Sequence, residues 1–392
     1  MRGLTQHRLL ASCCAKALLL CACATGPAHD STGHDTRVHD VEAAIAIPPS
    51  PSRDIAPRQL VADHLNNPRG MLVAARGTLL VAQAGRGLED DPFTGSLTRL
   101  ADTDGDGYFE TPEDLLSAQA STNLLELVRR DEVFGLAAIA TGGGDTLVSA
   151  AFFDGPSQIY RLQGHEVGDW ATVPGNVNAM SFDTRRGQWL GVSSSTEQIL
   201  RLAPGRPGEE ILRIPDLPQG QDPVPGYLLF EPATGDVLVT LFSGSPLGEE
   251  GGDGTEIVKG SGGVIRVNPD TGDFHWVVAG LTAPTDLALD GQGRLYVLEF
   301  CDDFLDPLTS REDMAHGVSH GGFRRYSGRL LRIDLDGGEV TVIAERLDGP
   351  TNLALDGNTL FIAQGMGTPG RMIPGPQGPV PLRGFIERLT LD

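Results

Sequence analysis

The chain has 392 residues, 40% hydrophobic and 21% charged, which excludes a disordered polymer and leaves room for two or three domains or one large repeat fold. Acidic residues outnumber Lys and Arg by 52 to 30, and the net charge of −22 argues against nucleic acid as a partner while favouring divalent cations. With 51 Gly, 27 Pro and only 6% aromatics, the composition suits many short strands better than long helices.

The N-terminus reads as a targeting segment. Arg2, His7, Arg8 and Lys16 precede an apolar stretch from Ala17 to Ala24. That stretch is far shorter than the ~20 residues needed to span a bilayer, so residues 1–23 are expected to be a cleaved signal. Leu20-Cys21-Ala22-Cys23 resembles a bacterial lipobox, which would leave Cys23 as a lipidated N-terminus; Ala22-Cys23-Ala24 is the alternative, a small-x-small cut that releases a soluble protein. The expected location is therefore a lipid-anchored cell-surface or outer-membrane protein, or a soluble exported one. Three of the five cysteines leave with the signal, so no disulfide framework is expected. Residues 24–57, rich in Pro, Asp, Ser and His, read as a flexible tether. Within it His29, His34 and His39 recur every five residues in a solvated setting.

From residue 58 the chain repeats. Asn67-Pro68-Arg69-Gly70-Met71-Leu72-Val73 is followed by a turn and Leu79-Leu80-Val81-Ala82-Gln83. Ala283-Pro284-Thr285-Asp286-Leu287-Ala288-Leu289 with Leu295 to Glu299, and Gly349-Pro350-Thr351-Asn352-Leu353-Ala354-Leu355 with Leu360 to Gln364, match it. Weaker copies begin near Gly135, Ala179 and Tyr227, and third strands recur after variable loops. Six copies over residues 58–392 average ~56 residues, somewhat above the usual propeller blade because several loops are long. Alternating apolar and polar positions fit strands packed face to face. The expected fold is an all-β, six-bladed β-propeller with four-stranded blades. The last copy has only three strands, and Arg58 to His64 supplies its missing outer strand and closes the ring.

The paired motifs Asn67-Pro68-Arg69-Gly70 with Val81 to Gly87, and Pro284 to Ala288 with Leu295 to Phe300, resemble the ScyD/ScyE family of exported propellers. That resemblance spans residues 58–392. It implies a fold and an export route, and no established reaction. The chain departs from the family pattern in its acidic loop and in a long insert after Glu299.

The acidic loop is Asp102-Thr103-Asp104-Gly105-Asp106-Gly107 with Glu113 six positions on, a D-x-D-x-D-G-x5-E spacing. Carboxylates at alternate positions converge on one calcium ion, Tyr108 offers its carbonyl, Glu110 the water-mediated position and Glu113 a bidentate carboxylate. A strand precedes the loop, so the expected role is structural, on the face opposite the first-strand starts.

First-strand starts and second-strand ends share one mouth of the ring. Glu299 and Asp286 are the candidate catalytic groups there. Arg69, Gln83, Asn352 and Gln364, with His316 and His320 from a long loop, are candidate ligand contacts. A second divalent metal at the channel axis is the further cofactor this set suggests. Asp286 and Asn352 equally suit caps of their own turns. No G-x-S-x-G elbow is present, and Ser193-Ser194-Ser195 has no base in register. Cys301 reads as a packing thiol. Three functions remain open: a ligand-binding exported propeller, a metal-dependent lactonase resembling the gluconolactonase and regucalcin propellers, and an interaction module of the NHL kind. The partner is a small molecule or a protein, the membrane is reached only through a lipid anchor, and a monomer is expected.

Overall fold

The computed structural model describes residues 40–392 except 76, 126–130, 153–154, 219, 244–257 and 304–322. It is all-β. Six four-stranded antiparallel sheets follow one another, and their inner strands pack side by side in a closed circle. These inner strands are Pro68–Ala75, Leu136–Gly142, Val177–Asp183, Pro225–Phe230, Pro284–Leu289 and Pro350–Asp356, heading blades 1 to 6. The protein is thus a six-bladed β-propeller.

Closure follows the sequence expectation. The outer strand of blade 6 is Arg58–Leu65, paired antiparallel with Gly384–Thr390 at the other end of the chain. No edge is left unpaired where the ring meets itself, which removes a site for strand addition. Apolar clusters between successive blades hold the ring. One brings Leu238 and Val264 of blade 4 against Leu287, Val297 and Leu331 of blade 5.

The expected tether ends earlier than residue 57. Ile45–Ala46 runs parallel to Phe274–Leu281 of blade 4, and Ser52–Arg53 runs parallel to Val340–Leu347 of blade 5. Each adds a short fifth strand to its blade. The correction has a simple cause: outer strands present free N–H and C=O groups that a short passing segment can satisfy, and Ile45 and Ile47 also pack against the apolar cluster shared by blades 4 and 5. Residues 1–39, with the signal, Cys23 and the three tether histidines, lie outside the described residues. Among the described residues, no helix is long and apolar enough to cross a membrane.

One local device recurs in every blade. The pairing of inner with second strand slips by one residue just after its first pair, between Pro68/Gly70, Leu136/Ala138, Val177/Ala179, Pro225/Leu228, Pro284/Asp286 and Pro350/Asn352. Such bulges bend a strand and re-aim its side chains. The residue before the proline is left-handed in four blades: Asn67, Val224, Ala283 and Gly349, with φ of 58°, 39°, 50° and 54°.

Candidate site at the axial mouth

The bulge decides which residues are equivalent. Asp286 and Asn352 stand two after their prolines and correspond to Gly70, whereas Arg69 corresponds to Thr285 and Thr351. Grouping Arg69 with Asp286 and Asn352 was therefore off by one position. The bulged residues latch neighbouring blades together. Thr351 donates its hydroxyl to the Pro68 carbonyl at 2.6 Å. Arg69 reaches the Val133 carbonyl at 3.3 Å and Glu132 at 3.4 Å.

The position two after the proline faces the next blade. A Cβ on Gly70 would lie 2.8 Å from the Ala137 carbonyl oxygen of blade 2, so that junction admits no side chain. The junction between blades 5 and 6 is wider and holds Asp286. Its carboxylate accepts from Leu353 N–H at 2.8 Å, from Leu287 N–H at 2.5 Å and from the Asn352 amide. Leu353 lies on an inner strand, the last in its sheet, so Asp286 caps an amide on the axial edge of blade 6. Asp286 is fully buried, and all three of its donors are neutral. Burial drives its titration well above the usual carboxylate range, against the opposing pull of those hydrogen bonds. Half-buried Tyr227 of blade 4 is pushed up by burial and then by the Asp286 charge. The other acceptor of the pair, Asn352 Oδ1, is buried and has no hydrogen-bond partner among the described residues.

Glu299 does something else. It is fully buried, one oxygen accepting from Thr282 N–H at 2.6 Å and the other held by Arg329 on the adjacent third strand. Gln83 and Gln364, at the same place in blades 1 and 6, repeat the pattern. Gln83 accepts from Asn66 N–H at 2.7 Å and donates to Thr98 at 2.7 Å and Ser96 at 3.2 Å. Gln364 accepts from Asp348 N–H at 2.8 Å and donates to Glu387 at 2.7 Å. In each case the acceptor pins the amide two residues before the initiating proline. The three side chains thus tie the top of the inner turn to the third strand, and none is aimed at the axis. The three share the register expected from the repeats, and their polar atoms are bonded to the inner turn and the third strand.

Long loops cover the same face. Phe242, Ala283, Phe300, Cys301, Phe323, Ile373 and Leu382 form an apolar cluster across blades 4 to 6, with the Phe300 and Phe323 rings 4.6 Å apart. Cys301 is fully buried in it, and burial raises the thiol well above its ordinary value, which suits packing and disfavours nucleophilic chemistry. Arg325 is 2% exposed and grips Asp348 bidentately, with Nε 2.7 Å from Oδ1. The same guanidinium also binds the Val380 carbonyl of the hairpin Met372–Gly375/Gly378–Pro381. Asp131 receives Thr368 and Arg371 from the same loop. Nothing in the sequence flagged these pairs, because Arg325, Asp131, Thr368 and Arg371 lie in loops without a motif. His316 and His320 lie outside the described residues.

The acidic loop joins the third and fourth strands of blade 1, Gly95–Ala101 and Thr111–Gln119, away from the strand-start mouth. Carboxylate oxygens of Asp102, Asp104 and Asp106 lie within 4.8 Å of one another. Backbone amides pre-shape them: Gly105 and Gly107 donate to Asp102 at 2.7 and 3.0 Å, Asp106 to Asp104 at 3.1 Å and Tyr108 to Asp106 at 2.7 Å. Gly105 and Gly107 take φ of 83° and 91°, which the turn requires. Three carboxylates converge as the motif demands. Glu113 does not join them. It sits in the fourth strand opposite Arg99, which it binds, with His165 at 3.5 Å. The strand pairing that follows the loop draws it away, where a helix would have returned it. Glu110 accepts from Thr103 N–H at 3.0 Å.

No protein-family model matches the chain, and no curated protein matches it. Solved structures do. A protein of unknown function from Bacteroides thetaiotaomicron shares 13% identity over 86% of this chain and 73% of its own, with a TM-score of 0.51. A Thermus thermophilus protein described as an oxidoreductase of the glucose dehydrogenase kind aligns at 14% identity over 85% of this chain and 100% of its own, with a TM-score of 0.48. A Bacteroides uniformis protein described as a 6-phosphogluconolactonase aligns at 15% identity, over 78% and 80%, with a TM-score of 0.41. The first of these likenesses supports the fold, and at such identity it supports the fold alone.

Proposed function

We propose that the chain is an exported propeller of the ScyD/ScyE type that binds a small cationic or hydrogen-bond-donating ligand at its axis, without hydrolysing it, and that its acidic loop holds a structural calcium ion. The observation that carries the axial reading is the Asp286–Asn352 pair. A buried carboxylate served by three neutral donors stands beside a buried amide oxygen with no partner among the described residues. An unmatched buried acceptor costs about 1–3 kcal/mol, and a donor or a hard cation at that point recovers it. The lactonase reading is weaker for a specific reason. It calls on Glu299 as a second carboxylate, and Glu299 is bound by Arg329 and Thr282.

The loop fits calcium through Asp102, Asp104 and Asp106, hard oxygen donors on a preformed turn. With Glu113 bound elsewhere, affinity in the range of extracellular modules, about 10⁻⁴–10⁻³ M, is the expectation. The bound ion would neutralise three like charges and fix the turn.

Titration calorimetry with calcium, magnesium and a lactone panel, with the acidic loop saturated beforehand, tests the axial reading. Binding that Asn352→Leu abolishes, with no lactone turnover, is the expected result. Lactone hydrolysis by the wild type, or titrations identical for the two proteins, refutes it.

A further inference from the structure

We propose a second ligand site, for an organic polyamine, in the groove at the seam where the ring closes. The groove has a volume of about 650 Å³, within the ~300–1,000 Å³ range of small-molecule sites. It lies between the closing strand Arg58–Leu65 and the third and fourth strands of blade 1, and neither Asp286 nor Asn352 is in its lining. It does not depend on the axial reading.

The direction of its hydrogen bonds sets the ligand class. At its floor Gln83, 7% exposed, spends its carbonyl on Asn66 N–H and its amide on Ser96 and Thr98. Thr98, 2% exposed, passes its own proton to Asp114 Oδ1 at 2.7 Å. The hydroxyl of Ser96, 3.0 Å from Thr98, must then donate to Thr98, because the Thr98 proton is already placed. On the far wall Tyr108 donates to Asp63 Oδ1 at 2.8 Å. Every floor donor therefore points inward to another protein group. What remains for a ligand is acceptor capacity: the second oxygens of Asp63 and Asp114.

Charge narrows the choice. Among the described residues no Arg or Lys forms an ion pair with Asp63, Glu110 or Asp114, and the one guanidinium in the lining, Arg86, is committed to Asp91. His64, 3.5 Å from Asp63, is the only other cation available and only when protonated. Phe93, 62% exposed, offers an open aromatic face in the same lining. Carboxylates without counter-ions beside an aromatic face suit an alkylammonium, which donates to the oxygens and lies against the ring. A neutral sugar would use the acceptors and leave the charge unbalanced.

The test is titration of spermidine into the full chain at near-physiological salt, with saturating calcium so that the acidic loop stays constant. The expected result is saturable binding that Asp114→Asn and Asp63→Asn each weaken about tenfold and that Phe93→Ala weakens about threefold. Phe93 is exposed, so that variant carries no folding risk. Glu166→Gln, an exposed carboxylate on the outer strand of blade 2, is expected to leave the affinity unchanged. Three results overturn the proposal: no saturable binding of spermidine, equal weakening by Glu166→Gln, or binding of maltose in place of spermidine.

Discussion

Replacing Glu299 by Gln separates a structural role from a catalytic one. The side chain keeps its shape and its acceptor for Thr282 N–H, but the introduced amide turns a donor toward Arg329, itself a donor. A guanidinium only 18% exposed then loses its counter-ion, leaving Asp302 at 3.7 Å as its nearest charge. Breaking a buried pair on one side costs ~3–5 kcal/mol, and the residual exposure and Asp302 favour the lower end. For the 335 residues of the ring, an unfolding entropy of ~2.1 cal/mol/K per residue converts 3 kcal/mol into a fall of about 4 °C. Blade 1 supplies the control. There Gln83 faces Ser96 across the same register that sets Glu299 against Arg329. Adding Arg329→Ser to Glu299→Gln rebuilds that arrangement and should recover at least half of the loss. Scanning calorimetry at fixed scan rate and saturating calcium measures both. A single variant melting within about 1 °C of wild type, or a double variant less stable than the single, refutes the pin.

Asp104→Ala should lower the melting temperature in calcium but not in chelator, and equal melting of wild type with and without calcium would remove the ion from the loop; at a hundredfold excess over Kd the ion is worth about 2.7 kcal/mol. Because Tyr108 binds Asp63 and Phe109 N–H binds the Val61 carbonyl at 2.7 Å, calcium should also slow amide exchange in the closing strand Arg58–Leu65. Asp286, whose folded titration lies well above its unfolded value, keeps its proton longer when folded. Its contribution is therefore complete below the unfolded carboxylate pKa and is lost as pH rises through the folded value, so thermal stability should fall less steeply with rising pH in Asp286→Asn than in wild type. Parallel pH profiles for the two would contradict that assignment. Cys23→Ala should shift the protein from the membrane to the soluble fraction, and soluble wild-type protein would refute the lipid anchor.

How much was legible in the sequence differs from element to element. The period-two alternation, the proline-initiated strands and the six repeats are local properties, and they determined a six-bladed all-β ring on their own. Closure by residues 58–64 followed from arithmetic: the last copy lacked a strand and the first residues of the ring had one to spare. The convergence of Asp102, Asp104 and Asp106 was likewise readable, because three carboxylates at alternate positions of a glycine turn meet through local geometry.

The tertiary structure decided what each polar residue does. Glu299, Gln83 and Gln364 read as ligand-facing groups in the sequence, and their partners, Thr282 in the inner turn and Arg329 on the third strand among them, are brought to them only by folding. The one-position offset of Arg69 from Asp286 could be counted from their prolines in the sequence, but the bulge that turns the two positions to different tasks is a feature of pairing between two strands. Glu113 completes the calcium motif in spacing but was claimed by Arg99 once the fourth strand paired in register. The segment around Ile45 and Ser52 carries no strand pattern of its own and is ordered by two open blade edges. A side chain's local propensity is set by its immediate neighbours in the chain, whereas its hydrogen-bond partner is set by whichever strand lies about 5 Å away, and only folding brings that strand there.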